Sequence, residues 1–211
     1  MAGLAISQLA WHAAPALSAG QPPTPTQYSQ VVRTVFPGAK EQTVTRDGVL
    51  VVIDRAPIPP HHDSLGDWPE QPAERVVLNL ATHRSVSRIL PHGAFDCAHP
   101  GTMGGDIGDA FDDPVVGHLF AVPASDLGKG EVNGTPAQKL RMQLDGQTFT
   151  VWRDLTWGVA LKIRSDQPFF GNPPDADGQT TYYEVKSFTI GTVDPAVFAM
   201  PDACRKAIFK P

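Results

Sequence analysis

Histidine is the most concentrated chemistry-bearing residue of this chain: six of the seven, His61, His62, His83, His92, His99 and His118, fall within 58 residues. His61-His62-Asp63 and His92-x3-Asp96-x2-His99 bring imidazole and carboxylate into short range, and neutral imidazole suits Zn, Cu or Ni. A metal site drawn from His61, His62, Asp63, His92, Asp96 and His99 is therefore one reading. The other is solvated histidine on Pro-rich surface loops, and it is preferred because no HExxH or CxxC spacing accompanies the cluster.

Signals for catalysis are sparse. A Ser/His/Asp hydrolase is recognised by geometry and not by sequence order, so it stands as a third reading, but neither a GxSxG elbow nor an SxxK pair occurs. Gly128-x-Gly130-x3-Gly134 lacks the GxGxxG spacing and no Walker lysine follows it, which disfavours a nucleotide. Asn133-Gly134-Thr135, followed by Pro136, reads as a turn before it reads as a glycan acceptor. The expectation is no catalysis and no cofactor. The two cysteines, Cys97 and Cys204, form an even count without metal-type spacing, which favours a disulfide in an oxidising compartment over two unpaired thiols.

The elements that must position these groups are mostly strands. With 21 Pro and 19 Gly in 211 residues, the chain is punctuated too often for a helical bundle. Lys+Arg 17 against Asp+Glu 22 gives a net charge of −5, and no stretch concentrates basic residues, which argues against nucleic acid or an anionic membrane as partner. No apolar run is long enough for a transmembrane helix. Leu4 to Leu17 is mostly apolar and is followed by small residues through Gly20, as in a signal peptide, yet no Lys or Arg precedes Arg33. Residues 1–26, closing in the Pro-rich Gln21 to Thr26, are read as a signal-like or linker segment, and residues 27–211 as one β domain.

Within that domain, Tyr28 to Val35 is expected as a short helix, and Glu41 to Asp54 as two strands around Arg46-Asp47-Gly48. Ala56 to Pro72 reads as a loop. Glu74 to Thr82 alternates with period two, and Val86 to Leu90 pairs back with it. Asp106 to Asp112 has room for a helical turn or two. Asp145-Gly146 is a two-residue hairpin signal that opposes Leu144 to Gln147, Met142 to Phe149 and Leu140 to Val151. A further strand carries Val159, Leu161 and Ile163. Thr180 to Ile190 is another, with a phase slip between Val185 and Phe188 that marks a bulge. Asp194-Pro195 caps a short helix through Phe198.

Three segments carry a resemblance: GEVNG (Gly130 to Gly134), FTVWRDLTWGVALKI (Phe149 to Ile163) and YEVKSFTIGTVDPAVFAMPDACRK (Tyr183 to Lys206). Val151-Trp152-Arg153-Asp154 before an apolar strand, and Pro195 to Pro201 in a Pro-x-x-Phe-x-x-Pro arrangement, resemble the LolA/LolB-type periplasmic lipoprotein carriers and related outer-membrane lipoprotein-sorting domains. The resemblance covers roughly the last 80 residues. It implies a mainly β, α+β fold: a curved antiparallel sheet or half-barrel with a few short helices covering its concave face and an apolar cavity for acyl chains. The loop-rich Pro91 to Asp113 departs from the family, and no residue that grips a lipoprotein maps onto this chain.

The resulting expectation is an exported, periplasmic binding protein whose partner is a lipid, another hydrophobic small molecule or a lipoprotein. The face bearing Leu140, Met142, Leu144, Phe149, Val151, Val159, Leu161 and Ile163 would line its cavity, covered by Tyr28 to Val35, Asp106 to Asp112 and Pro195 to Phe198.

Overall fold

The computed structural model describes residues 25–34, 40–63, 66–102, 119, 122–167 and 174–210. Among the described residues eleven strands form one curved, open antiparallel sheet. In chain order these are β1 (Gln27–Thr34), β2 (Lys40–Asp47), β3 (Leu50–Arg55), β6 (Glu74–Asn79), β7 (Arg84–Ile89), β8 (Gly101–Thr102), β9 (Ala124–Val132), β10 (Thr135–Leu144), β11 (Gln147–Asp154), β12 (Ala160–Ser165) and β13 (Thr180–Ile190). Across the sheet they run β8-β7-β6-β3-β2-β1-β13-β12-β11-β10-β9. A separate small hairpin, β4 (His61–Asp63) with β5 (Gly66–Trp68), interrupts the expected Ala56 to Pro72 loop.

Local chemistry explains the meander from β9 to β12. Asp145 and Gly146 have φ of 50° and 79°, both positive as a tight hairpin turn requires, and the register pairs Leu144 with Gln147, Met142 with Phe149 and Leu140 with Val151. Asn133 and Gly134 repeat the device between β9 and β10, with φ of 48° and 83°. In β13 the pairing with β1 passes from Ser187 to Val185 and leaves Lys186 as the extra residue, which places the bulge inside the expected interval.

Tyr28 to Val35 is not a helix. Its described part is β1, seated in the middle of the sheet between β2 and β13. Tyr28, Gln30, Val32 and Thr34 are the buried positions of β1, a period of two that its polar members Gln30 and Thr34 disguise. Two neighbouring strands satisfy the backbone of this segment on both sides, and that outweighs its local helical reading.

Cross-strand partners share a face, so the register assigns every strand's two sides. Leu140, Val151, Ile163, Tyr183 and Thr34 form one row across β10, β11, β12, β13 and β1. Phe188, Gln30, Val44, Ile53 and Val76 continue the same face across β13, β1, β2, β3 and β6. The opposite face carries Val52, Val77 and Val86, which pack with Phe198, Cys204 and Ile208. Those last three come from a 3-10 turn, Pro195–Phe198, and from α1, Asp202–Phe209. Asp194 caps the turn by accepting from the Ala196 N–H, as Asp194-Pro195 implies. The turn therefore does not cover the face of Leu140 and Val151. It covers the other side of the other half of the sheet, because Phe198 is held over Val52 and Val77. Asp106 to Asp112 lies outside the described residues.

Cys97 and Cys204 are joined, with Cα atoms 4.4 Å apart, so the loop after β7 is tied to α1. Thr82 Oγ1 donates to the Ile208 carbonyl at 2.6 Å and satisfies one of the acceptors that the helix end leaves open.

Candidate functional site

The sequence-derived cavity residues come together. Met142, Phe149, Val151, Val159, Leu161 and Ile163 are buried in one cluster with Val32, Leu119, Tyr183 and Val185, while Leu140 and Leu144 are half-buried against it. Phe188 packs both on this cluster and on a second one, Tyr28, Val44, Val51, Ile53, Val76 and Leu78, so one apolar surface runs from β10 to β6. Sequence reasoning found its β10–β12 half from alternation. It missed the β1, β2 and β13 contributions, since β1 was read as a helix and polar Gln30 and Gln42 interrupt the alternation.

Those polar side chains are buried on the apolar face itself: Gln30 is 1% exposed, Gln42 4% and Thr34 8%. Gln42 stands across from Val32 on one side and Arg55 on the other. Arg55 Nη1 donates to Glu74 Oε2 at 3.0 Å, and its Nε has no hydrogen-bond partner among the described residues. A largely apolar surface with a few placed polar groups is the usual make-up of a small-molecule site.

The opposite face of β10 to β13 is charged. Trp152 lies between Lys139 and Lys162, whose ammonium groups are 5.1 and 5.9 Å from the indole. Lys162 also reaches Glu184 at 3.3 Å, and Lys186 bonds the same carboxylate. Arg164 binds Asp177 and Asp175, at 2.6 and 2.9 Å, and so ties the loop before β13 to β12. That guanidinium lowers the Asp177 carboxyl to about 2.

Two of the histidines each pair with a single carboxylate. His62 Nδ1 is 2.8 Å from Asp67, and His99 Nδ1 is 3.2 Å from Asp96. The His99 backbone N–H and imidazole hold the Asp96 carboxyl below its usual range. Among the described residues no three His, Cys, Asp or Glu side chains converge as metal ligands would. His61 and Asp63 are placed in β4 by their backbone, and His118 lies outside the described residues.

No family profile matches the sequence, and a search among curated proteins finds no match. Solved structures do resemble this one. An uncharacterised conserved protein from Thermus thermophilus is 12% identical over 84% of this chain and 87% of that chain, with a TM-score of 0.42. MucB, in the Pseudomonas aeruginosa MucA/MucB complex, is 13% identical over 84% of this chain and 56% of that chain, with a TM-score of 0.36. A LolA superfamily protein from Nitrosomonas europaea is 9% identical over 85% of this chain and 92% of that chain, with a TM-score of 0.32. No helix among the described residues is long and apolar enough to cross a membrane.

Proposed function

We propose that this protein is an exported, non-catalytic binding protein for a lipid or a similar hydrophobic ligand, held on the apolar face of its sheet. The observation that carries the reading is the division of labour between the two faces. The 3-10 turn and α1 pack on Val52, Val77 and Val86, leaving them no part in covering Leu140, Val151, Ile163 and Val44 on the other side. A broad apolar face on which neither the 3-10 turn nor α1 packs suits an acyl chain, whose burial is worth about 0.8 kcal/mol per CH₂. The Cys97–Cys204 bond supports an oxidising compartment.

Titration with a fluorescent fatty acid, together with native mass spectrometry of protein from its own host, tests this. The expected result is saturable binding and a retained lipid. Leu140 is half-buried at the margin of the cluster, so L140W should obstruct the site while preserving the fold. Wild type that binds no apolar probe and carries no lipid would refute the reading.

A further inference from the structure

The strand register gathers basic residues that the sequence scatters. On the face away from Leu140 and Val151, Lys139, Trp152, Lys162 and Glu184 form one row across β10, β11, β12 and β13. Two residues along, Arg141, Thr150 and Arg164 form the next. Every charged side chain that β10, β11 and β12 give to these two rows is a cation. The 3-10 turn and α1 pack elsewhere, on Val52, Val77 and Val86 in the other half of the sheet.

The carboxylates that meet these cations come from the β13 side. Glu184 is shared by Lys162 and Lys186, and Asp175 and Asp177 take Arg164. Toward β10 the charge is left over. Arg141 is exposed, and neither it nor Lys139 has a carboxylate partner among the described residues. Lys139 instead stands 5.1 Å from the centre of the Trp152 indole, which also lies against β9, since a Cβ at Gly130 would come 3.2 Å from it. This positive ground belongs to a chain of net charge −5, so an anionic surface attracts it, repels the remainder and thereby sets an orientation.

The composition of the face selects the kind of surface. A stable protein interface is built around a desolvated apolar centre, whereas here one half-buried indole stands among Lys, Arg and Thr side chains. Basic side chains beside an amphipathic aromatic are what a charged bilayer surface asks for. We propose that this face of β10 to β12 docks on an anionic phospholipid bilayer, with Lys139, Arg141 and Lys162 against the phosphates and Trp152 at head-group level. The face is the one opposite the apolar surface assigned to a hydrophobic ligand, so either reading can fail without the other.

Co-sedimentation with vesicles of equal parts phosphatidylglycerol and phosphatidylcholine, against vesicles of phosphatidylcholine alone, tests this on wild type, R141E, K139E/R141E and R205E/K206E. The last pair makes the same change of net charge on exposed positions of α1. Wild type should bind the anionic vesicles only, and rising salt should release it. K139E/R141E should lose about 10-fold or more in vesicle affinity while R205E/K206E stays near wild type. Melting temperatures check that the variants fold, and R141E, at an exposed position, carries the test with a smaller loss in the same direction if the double variant does not. Equal losses in the two double variants would overturn the proposal in favour of overall charge. Wild type that ignores anionic vesicles, or binds both kinds alike, would overturn it outright, and capture by polyglutamate without vesicle binding would replace the bilayer with an acidic protein partner.

Discussion

Cys97 and Cys204 are bonded across a separation of 107 positions, and the bond fastens the loop after β7 to the helix that covers Val52, Val77 and Val86. A loop of that length restricts the unfolded chain strongly. Reduction, or the C97S/C204S pair, should therefore lower stability by about 2 to 4 kcal/mol, read as a fall in melting temperature. Unchanged melting with and without reductant would show that α1 is held by packing alone.

Thr82 and Ile208 make the second fastening of the same helix, at 2.6 Å. T82V keeps the shape and deletes the donor, leaving a helix-end carbonyl without its partner. A cost of about 1 kcal/mol in chemical denaturation is expected, and amide exchange should rise first in residues 202–209.

Gly93 follows β7, where its N–H bonds the Ile89 carbonyl at 2.7 Å. A Cβ there would sit 2.5 Å from that same backbone oxygen, which cannot swing aside as a side chain can. G93A should destabilise by about 1 to 3 kcal/mol, whereas H92A, at the exposed neighbour, should cost less than about 0.5 kcal/mol. Equal stability of the two variants would contradict this packing.

Arg164 and Asp177 set an acid limit. The native Asp177 carboxyl is lowered to about 2 by hydrogen bonds from the Arg164 guanidinium. A depressed native value means that the pairing contributes fully above the ordinary aspartate range and is lost as pH falls through about 4 toward 2. Melting curves of wild type and D177N should converge at pH 2, with wild type the more stable at pH 6. An Asp177 titration midpoint near 4 by NMR would sink this account.

Short-range features were legible because their causes are short-range. Asp145-Gly146 demands positive φ at two adjacent residues, and that alone set the Leu140–Val151 and Met142–Phe149 pairings. The phase slip between Val185 and Phe188 marks the interval of the bulge, and the pairing with β1 places the extra residue at Lys186. The even cysteine count anticipated the disulfide. Helix α1 was missed although its signals were present: Asp202 in the first turn after Pro201, and Cys204 and Ile208 four positions apart, buried on one side.

What the sequence by itself determined is the strands β2, β3, β6, β7 and β10 to β13, the Asp145-Gly146 turn and the apolar face of β10 to β12. What tertiary structure decided is which segments complete that face and which cover its back. β1 became a strand because β13, which begins 146 positions after Thr34, supplies hydrogen bonds along its whole length. Gln30, Gln42 and Thr34 became buried because of where the sheet places their strands, and not through any apolar character of their own. The C-terminal turn and helix went to Val52 and Val77 because Phe198, Cys204 and Ile208 could bury themselves there and bond Cys97 at the same time. Local pattern encodes which side of a strand is apolar, but only long-range pairing and competition for buried area select the surface that meets it.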